Sequence, residues 1–191
     1  MKKILVLLGH PNHASFNGAL ADAYVAAARQ AGHEVRQINI GELKFDPILH
    51  RGYNEIQELE PDLRQVQEQI KWAEHLVVVF PTWWFSPPAI LKGFFDRALL
   101  PGFGFKYRAS SPLPEQLLKG RSLRLICTAD AAPFLYQLLG GNPGIRQVKM
   151  TFGFCGVRPA RVTTLGSIKR SATAKRQRWL ANVAKLGAAG S

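Results

Sequence analysis

The 191-residue chain has little cysteine: Cys127 and Cys155 are too few for a disulfide framework and lack the spacing of a metal site. They read as reduced core thiols of a cytosolic protein. Long apolar runs are also missing, and none reaches the ~18 residues of a membrane-spanning helix, which excludes membrane insertion. The opening run Ile4–Leu8 is shorter than the ~7–15 residues of a secretion-signal core, and no small-residue cleavage site follows it. It reads as a buried first strand. Acidic residues nearly vanish from the second half. Residues 1–99 hold 10 Lys/Arg and 11 Asp/Glu (net −1), whereas residues 100–191 hold 15 and 2 (net +13). Neither G-x-G-x-x-G nor G-x-x-x-x-G-K-[ST] occurs, so a Rossmann fingerprint and a Walker loop are both excluded. No helix-turn-helix, zinc-finger or aromatic RNA-binding signature is present, and nucleic acid is not an expected partner. The overall charge of +12 reads either as a solvated surface or as a face for an anionic ligand.

What is present is an alternation of strands and helices. Lys3–Leu8, Glu34–Ile40, His75–Phe80, Ser122–Thr128 and Arg158–Leu165 read as strands. Asn17–Ala31, Pro61–Ala73, Pro87–Leu99, Gly141–Phe154 and Ser171–Leu186 read as helices. In Pro61–Ala73, Leu63, Val66 and Ile70 recur at helical spacing behind a proline suited to a first turn. Such alternation implies a parallel sheet with helices on both faces, and near-continuous apolar strands are what burial on two sides requires. Without repeats or a dividing linker, residues 1–191 are expected to form one α/β domain. Its five parallel strands fit the order 2-1-3-4-5, the smaller of the two common doubly wound forms. Ligands of such sheets bind beyond the carboxyl ends of the strands, near the point where the order reverses.

That rule nominates three loops. The first, GHPNHASFNGAL (Gly9–Leu20), offers Ser15 and Asn17 at a helix start, where free N–H groups and the helix dipole suit a phosphate. Plain N-capping by Ser15 or Asn17 is the reading that this loop favours when taken alone. His10 reads as an anion donor or as a satisfied half-buried histidine. Paired with His13 as a metal site it lacks any carboxylate or cysteine partner, and no metal is expected. The second loop, PTWWFSPP (Pro81–Pro88), is stiffened by proline at both ends and suits a flat ring system, although its aromatics also fit a core or a dimer interface. The third, TADAAPFLYQLLGGNPG (Thr128–Gly144), has small residues that permit close backbone approach. Its Tyr136 faces either a ligand or the core.

GHPNHASFNGAL together with FPTWWFSPPAILKGFFDR resembles the flavodoxin-like NAD(P)H:quinone oxidoreductase family, which also includes bacterial modulators of drug activity and ancillary oxidoreductases of potassium-efflux systems. The similarity runs from about Lys3 to Leu165 and implies a flavodoxin-like three-layer sandwich. By resemblance, His10, Ser15, Phe16, Asn17 and Ala19 hold the phosphate or pyrophosphate of a flavin, FAD or FMN. Pro81, Thr82, Trp83, Trp84 and Phe85 bind its ring largely through backbone atoms, beside Thr128, Ala129, Asp130 and Ala131. Tyr136 matches a tyrosine near the flavin carbonyl and is the candidate catalytic residue. Trp84, Phe85, Phe105, Tyr107 and Tyr136 form the implied substrate pocket, with Phe105 and Tyr107 reaching it across a homodimer interface. Two departures stand out: Asp130-Ala131 replaces a glycine pair, and Asn142 stands where a histidine is often found.

The resemblance implies an NAD(P)H dehydrogenase (quinone)-type enzyme. In it, NAD(P)H and then a quinone or similar acceptor would occupy one slot over the flavin in a ping-pong hydride transfer. The alternative is a regulatory flavoprotein subunit attached peripherally to a potassium-efflux protein. An electron carrier of the flavodoxin kind is disfavoured by the +12 charge, because that class is typically acidic.

Overall fold

The computed structural model describes residues 1–109 and 111–191, apart from the side chains of Pro133, Tyr136, Gln137 and Leu139. In chain order the elements are β1 (Lys3–Leu8), α1 (Phe16–Gln30), β2 (Glu34–Asn39), α2 (Pro61–Trp72), β3 (His75–Pro81), α3 (Ala89–Ala98), β4 (Phe105–Arg108), β5 (Ser111–Gln116), β6 (Ser122–Thr128), α4 (Pro133–Gly140), α5 (Pro143–Phe154), β7 (Ala160–Leu165) and α6 (Thr173–Ala188). The central sheet is parallel in the order β2-β1-β3-β6-β7. Counting its own strands, this is the expected 2-1-3-4-5.

Successive residues of a strand face opposite sides, and here both sides are apolar. Leu5, Leu7, Leu76, Val78, Leu123 and Leu125 pack under α2, α3 and α5, against Leu63, Val66, Phe94, Val148 and Phe152. Ile4, Val6, Leu8, Val77, Val79 and Ile126 pack under α1 and α6, against Leu20, Tyr24 and Val183. Burial on both faces explains why these strands carry continuous apolar runs rather than alternating ones.

Two elements depart from the expectation. β4 and β5 form a separate antiparallel hairpin, which the sequence conceals because SPLPEQ carries two prolines and does not alternate. The segment expected as a single long loop after β6 contains α4, opened by a proline in its first turn. Phe134 and Leu138 on this helix are exposed.

A fully buried arginine ties the long β2–α2 connection to α3. Arg97 Nη1 donates to the Asp46 carbonyl and, at 3.2 Å, to Glu60 Oε1. Its Nη2 donates to the Glu58 carbonyl and to Glu60 Oε2, each at 2.9 Å. Burial pushes the Glu60 carboxyl up, but backbone N–H groups and Arg97 outweigh this and hold it below the usual range. The resulting stability is present above the ordinary glutamate pKa and is lost as the pH falls through the lowered folded value. Arg97→Met leaves Glu60 without its cation and is expected to cost about 3–5 kcal/mol in denaturant unfolding. The deficit should shrink when both proteins are compared at a pH where Glu60 is protonated.

Candidate functional site

The register of β1, β3 and β6 delivers their three following loops to one edge, and hydrogen bonds join those loops. Gly9 N–H donates to the Val79 carbonyl at 2.8 Å, and Thr82 N–H to the Thr128 carbonyl at 2.7 Å. The Thr128 hydroxyl donates to Asn17 Oδ1 at 3.1 Å, with both residues buried. His10 meets Trp83 edge to face, with ring centroids 5.4 Å apart.

At the start of α1, Ser15 rather than Asn17 is the cap: its hydroxyl accepts Gly18 N–H at 3.1 Å. The Ser15 carbonyl accepts Ala19 N–H. The side chains of Ser15 and Asn17 are therefore engaged within the protein, and an anion here would meet the N–H groups of the first turn, which lack intrahelical acceptors. Gly18 is required at this corner, because a Cβ would run into the His13 carbonyl oxygen. His13 itself pairs with Asp22 at 3.0 Å, and that hydrogen bond, followed by the carboxylate charge, raises its pKa. Among the described residues no group of three or more His, Cys, Asp or Glu side chains is arranged to hold a metal ion.

The β3 loop is a tight turn. Trp83 N–H donates to the Ser86 carbonyl at 2.9 Å and Ser86 N–H to the Trp83 carbonyl at 3.0 Å. The two residues between them, Trp84 (φ 50°) and Phe85 (φ 61°), are both left-handed. This is a turn that normally demands Gly or Asn, and bulky residues in it cost of order 1–2 kcal/mol each. The flanks enforce it: Pro81 closes β3, Pro87 and Pro88 are buried, and a Cβ on Gly144 would sit 2.9 Å from the Phe85 carbonyl oxygen. Trp84 is 95% exposed and Trp83 46%, so Trp83 is the indole held against His10 and Trp84 the one presented outward. Below the turn, Thr82 Oγ1 lies 3.0 Å from Cys127 Sγ. Burial, offset only in part by that contact, raises the Cys127 thiol to about 11 and keeps it protonated.

In the third loop Asp130 turns toward the segment after β7. Its carboxylate accepts Lys169 N–H at 3.3 Å and lies 3.3 Å from Lys169 Nζ. Ser167 and Ile168 N–H groups donate to the carbonyls of Ala131 and Ala129. Ala129 is buried and Ala131 half-buried. Tyr136 belongs to α4, but its side chain lies outside the described residues. Asn142, before α5, is left-handed at φ 54°.

The structure adds a fourth loop, 166–172, that sequence reasoning passed over. Arg176 Nε donates to Ser171 Oγ at 2.9 Å and Nη2 to the Ile168 carbonyl at 3.0 Å. Its guanidinium lies 5.5 Å from the centre of the Phe16 ring, which brings a cation to the start of α1. The basic run from Lys169 to Arg178 was visible as charge but carried no sign of its location. Phe105 and Tyr107 are not gathered to this edge. Stacked edge to face at 5.2 Å, they line a separate cavity of about 330 Å³ with Tyr53, Lys92, Phe154 and Cys155.

This arrangement, a doubly wound sheet with joined loops at its carboxyl edge, defines an open α/β ligand-binding class. Residues 2–188 match the flavodoxin-like fold family, and the chain belongs to it. The chain is 33% identical over 182 residues to NAD(P)H dehydrogenase [quinone] 1 of Cavia porcellus, covering 82% of this chain and 65% of that protein. It thus spans just under two thirds of that relative's length. It is 28% identical over 172 residues to an NAD(P)H oxidoreductase of Haemophilus influenzae, covering 86% of this chain and 83% of that one. The crystal structure of Smu.1420 from Streptococcus mutans superposes with a TM-score of 0.77 at 28% identity, covering 97% and 98% of the two chains.

Because Trp84 is exposed yet left-handed, Trp84→Asn removes little packing and relieves strain. It is expected to stabilise the ligand-free protein by about 1 kcal/mol in urea unfolding. Asn17→Ala should instead cost about 1–3 kcal/mol by orphaning the Thr128 hydroxyl, and adding Thr128→Val should recover most of that loss.

Proposed function

We propose that the chain is a flavin-dependent NAD(P)H oxidoreductase acting on a quinone or a similar flat electrophile. The single observation that carries this reading is the strained aromatic turn Trp83–Ser86 at the carboxyl edge. Left-handed bulky residues persist only where the surroundings over-determine them, and such outliers cluster at ligand sites. The donor set fits a flavin. The start of α1, with Arg176 nearby, suits a phosphate, and the turn offers backbone polar groups beside aromatic walls. The names borne by the relatives, NAD(P)H dehydrogenase [quinone] and NAD(P)H oxidoreductase, support the same reading.

When bound, a flavin supplies the hydride chemistry, and the protein supplies binding, orientation and electrostatics. His10, Ser15, Phe16, Asn17 and Ala19 would form the phosphate end. Pro81, Thr82, Trp83, Trp84 and Phe85 would hold the ring edge, with Thr128, Ala129, Asp130 and Ala131 on its other side. The Trp83–Ser86 hydrogen-bond pair uses polar groups of the two outer residues of the turn. The Asp130–Lys169 contact keeps that carboxylate turned toward the β7 loop, so the glycine-to-aspartate departure does not by itself put an unpaired negative charge at the ring. Trp84 would wall the slot that a nicotinamide and then an acceptor occupy, a positioning task. Phe105 and Tyr107 lie in a different cavity of the same chain, and so a homodimer, in which they would complete the partner's slot, is part of the proposal.

The purified protein should be yellow, or become so on adding FMN or FAD, with mass spectrometry of the released compound deciding between them. A protein that takes up neither overturns the reading. Trp84→Ala should lower quinone turnover or flavin affinity at least tenfold while the far-UV spectrum is unchanged. Unaltered binding and turnover would remove Trp84 from the site.

A further inference from the structure

The opposite edge of the sheet carries a second polar constellation. β3 and β6 begin in register, His75 opposite Ser122, on the face covered by α1 and α6. His75 is 3% exposed. Its Nδ1 lies 2.7 Å from Ser122 Oγ, while the buried Nε2 has no partner among the described residues. The ring lines a cavity of about 270 Å³ with Lys2, Ser122, Arg161 and residues 190–191, and no Asp or Glu side chain lines that cavity. On β6, Arg124 sits in register with Arg161 of β7 and has a buried Nε without a partner among the described residues.

The charge there is not accounted for by the fold. Two of the basic groups serve the end of α6: Lys2 Nζ donates to the Gly190 carbonyl at 2.7 Å, and His33 Nε2 lies 3.3 Å from the Ala188 carbonyl oxygen. The neighbouring acid, Glu74, accepts Lys3 N–H at 3.0 Å. Arg161 makes no ion pair among the described residues and is exposed. A buried imidazole lacking one hydrogen bond is destabilising, and an apolar residue continuing Leu76–Phe80 would avoid that.

We propose that this cavity binds a phosphate group, with Arg161 and Lys2 as its cations and His75 Nε2 as its neutral donor. In the neutral ring one nitrogen donates and the other accepts. Ser122 donating to Nδ1 leaves the proton on Nε2, the donor that the proposal assigns to the anion. Burial first, then the charges of Lys2, Arg124, Arg161 and His33, hold the His75 pKa down to about 4. A bound anion offsets those charges, so loading the cavity moves the titration of His75 upward. By reciprocity the anion is held more tightly as the pH falls toward that range.

The test is a titration of the purified protein with inorganic phosphate near neutral pH, with ionic strength held constant by chloride. NMR would follow the His75 ring and the amides of Leu123 and Gly190, while the amides of Phe16 and Asn17 report the other edge separately. Saturable shifts at His75 are expected, with a rise in its pKa on loading. Arg161→Gln should weaken the binding about tenfold or more, the loss of one charge-assisted hydrogen bond. Ribose 5-phosphate binding more tightly than phosphate would mark an esterified source, and equal binding a free anion. Shifts that chloride reproduces, or that survive Arg161→Gln, would overturn the proposal and leave these cations as caps for α6. Binding seen only after deletion of residues 190–191 would overturn it as well, because those residues would then be the natural occupants.

Discussion

Three strands in this protein, β1, β3 and β6, are buried on both faces, and most of its polar chemistry is displaced to their ends as a result. A residue inside such a strand has apolar neighbours whichever way it points, so Leu76–Phe80 has no polar side chain to offer. Polar groups appear where the sandwich stops. The same pair of strands shows this at both extremes: β3 and β6 begin at His75 opposite Ser122 and end at Pro81 opposite Thr128. The first pair opens the amino-edge cavity. The second fixes the position of the aromatic turn through the bond from Thr82 N–H to the Thr128 carbonyl.

The turn shows how a rigid frame is converted into a local conformation that the residues would not choose. Trp84 and Phe85 have no intrinsic reason to be left-handed. What holds them there is geometry on each side: Pro81 in the strand, two buried prolines at the exit, and the close passage of Gly144 against the Phe85 carbonyl. The core supplies the stability against which one or two kcal/mol of strain is tolerable. A looser frame would let the turn relax and carry Trp84 away from the edge. The buried Arg97 contributes from below, because it pins the long β2–α2 connection to α3, the helix that begins one residue after Pro88.

Much of this was legible in the sequence, for a physical reason. Two-sided burial writes itself as continuous apolar runs in β1, β3 and β6, and β2 shows itself by alternation, so the sheet strands and their order could be read, and strand order fixed which loops would meet. The three nominated loops do meet. What stayed hidden was whatever does not follow from burial. The β4–β5 hairpin carries prolines and little alternation. α4 exposes Phe134 and Leu138. The left-handed turn is written in tryptophan and phenylalanine, the residues least expected in it. Asn17 looked like a cap but bonds Thr128, a contact 111 positions away along the chain that no local pattern encodes. Arg176 was visible only as one of many cations.

Those cations acquire meaning once they are located. The second half of the chain carries 15 Lys/Arg against 2 Asp/Glu, and in the linear sequence this resembles one basic face. In the fold the charges separate. Arg176 and Lys175 lie over the rings of Phe16 and Trp179 near the carboxyl edge. Arg161 reaches the opposite, amino edge. Arg146, Lys149 and Arg158 border an apolar groove of about 890 Å³ between α5 and β7. A polyanion such as nucleic acid is held by a continuous stripe of charge that follows its backbone. Cations distributed among separate concavities are suited instead to small anions bound one at a time.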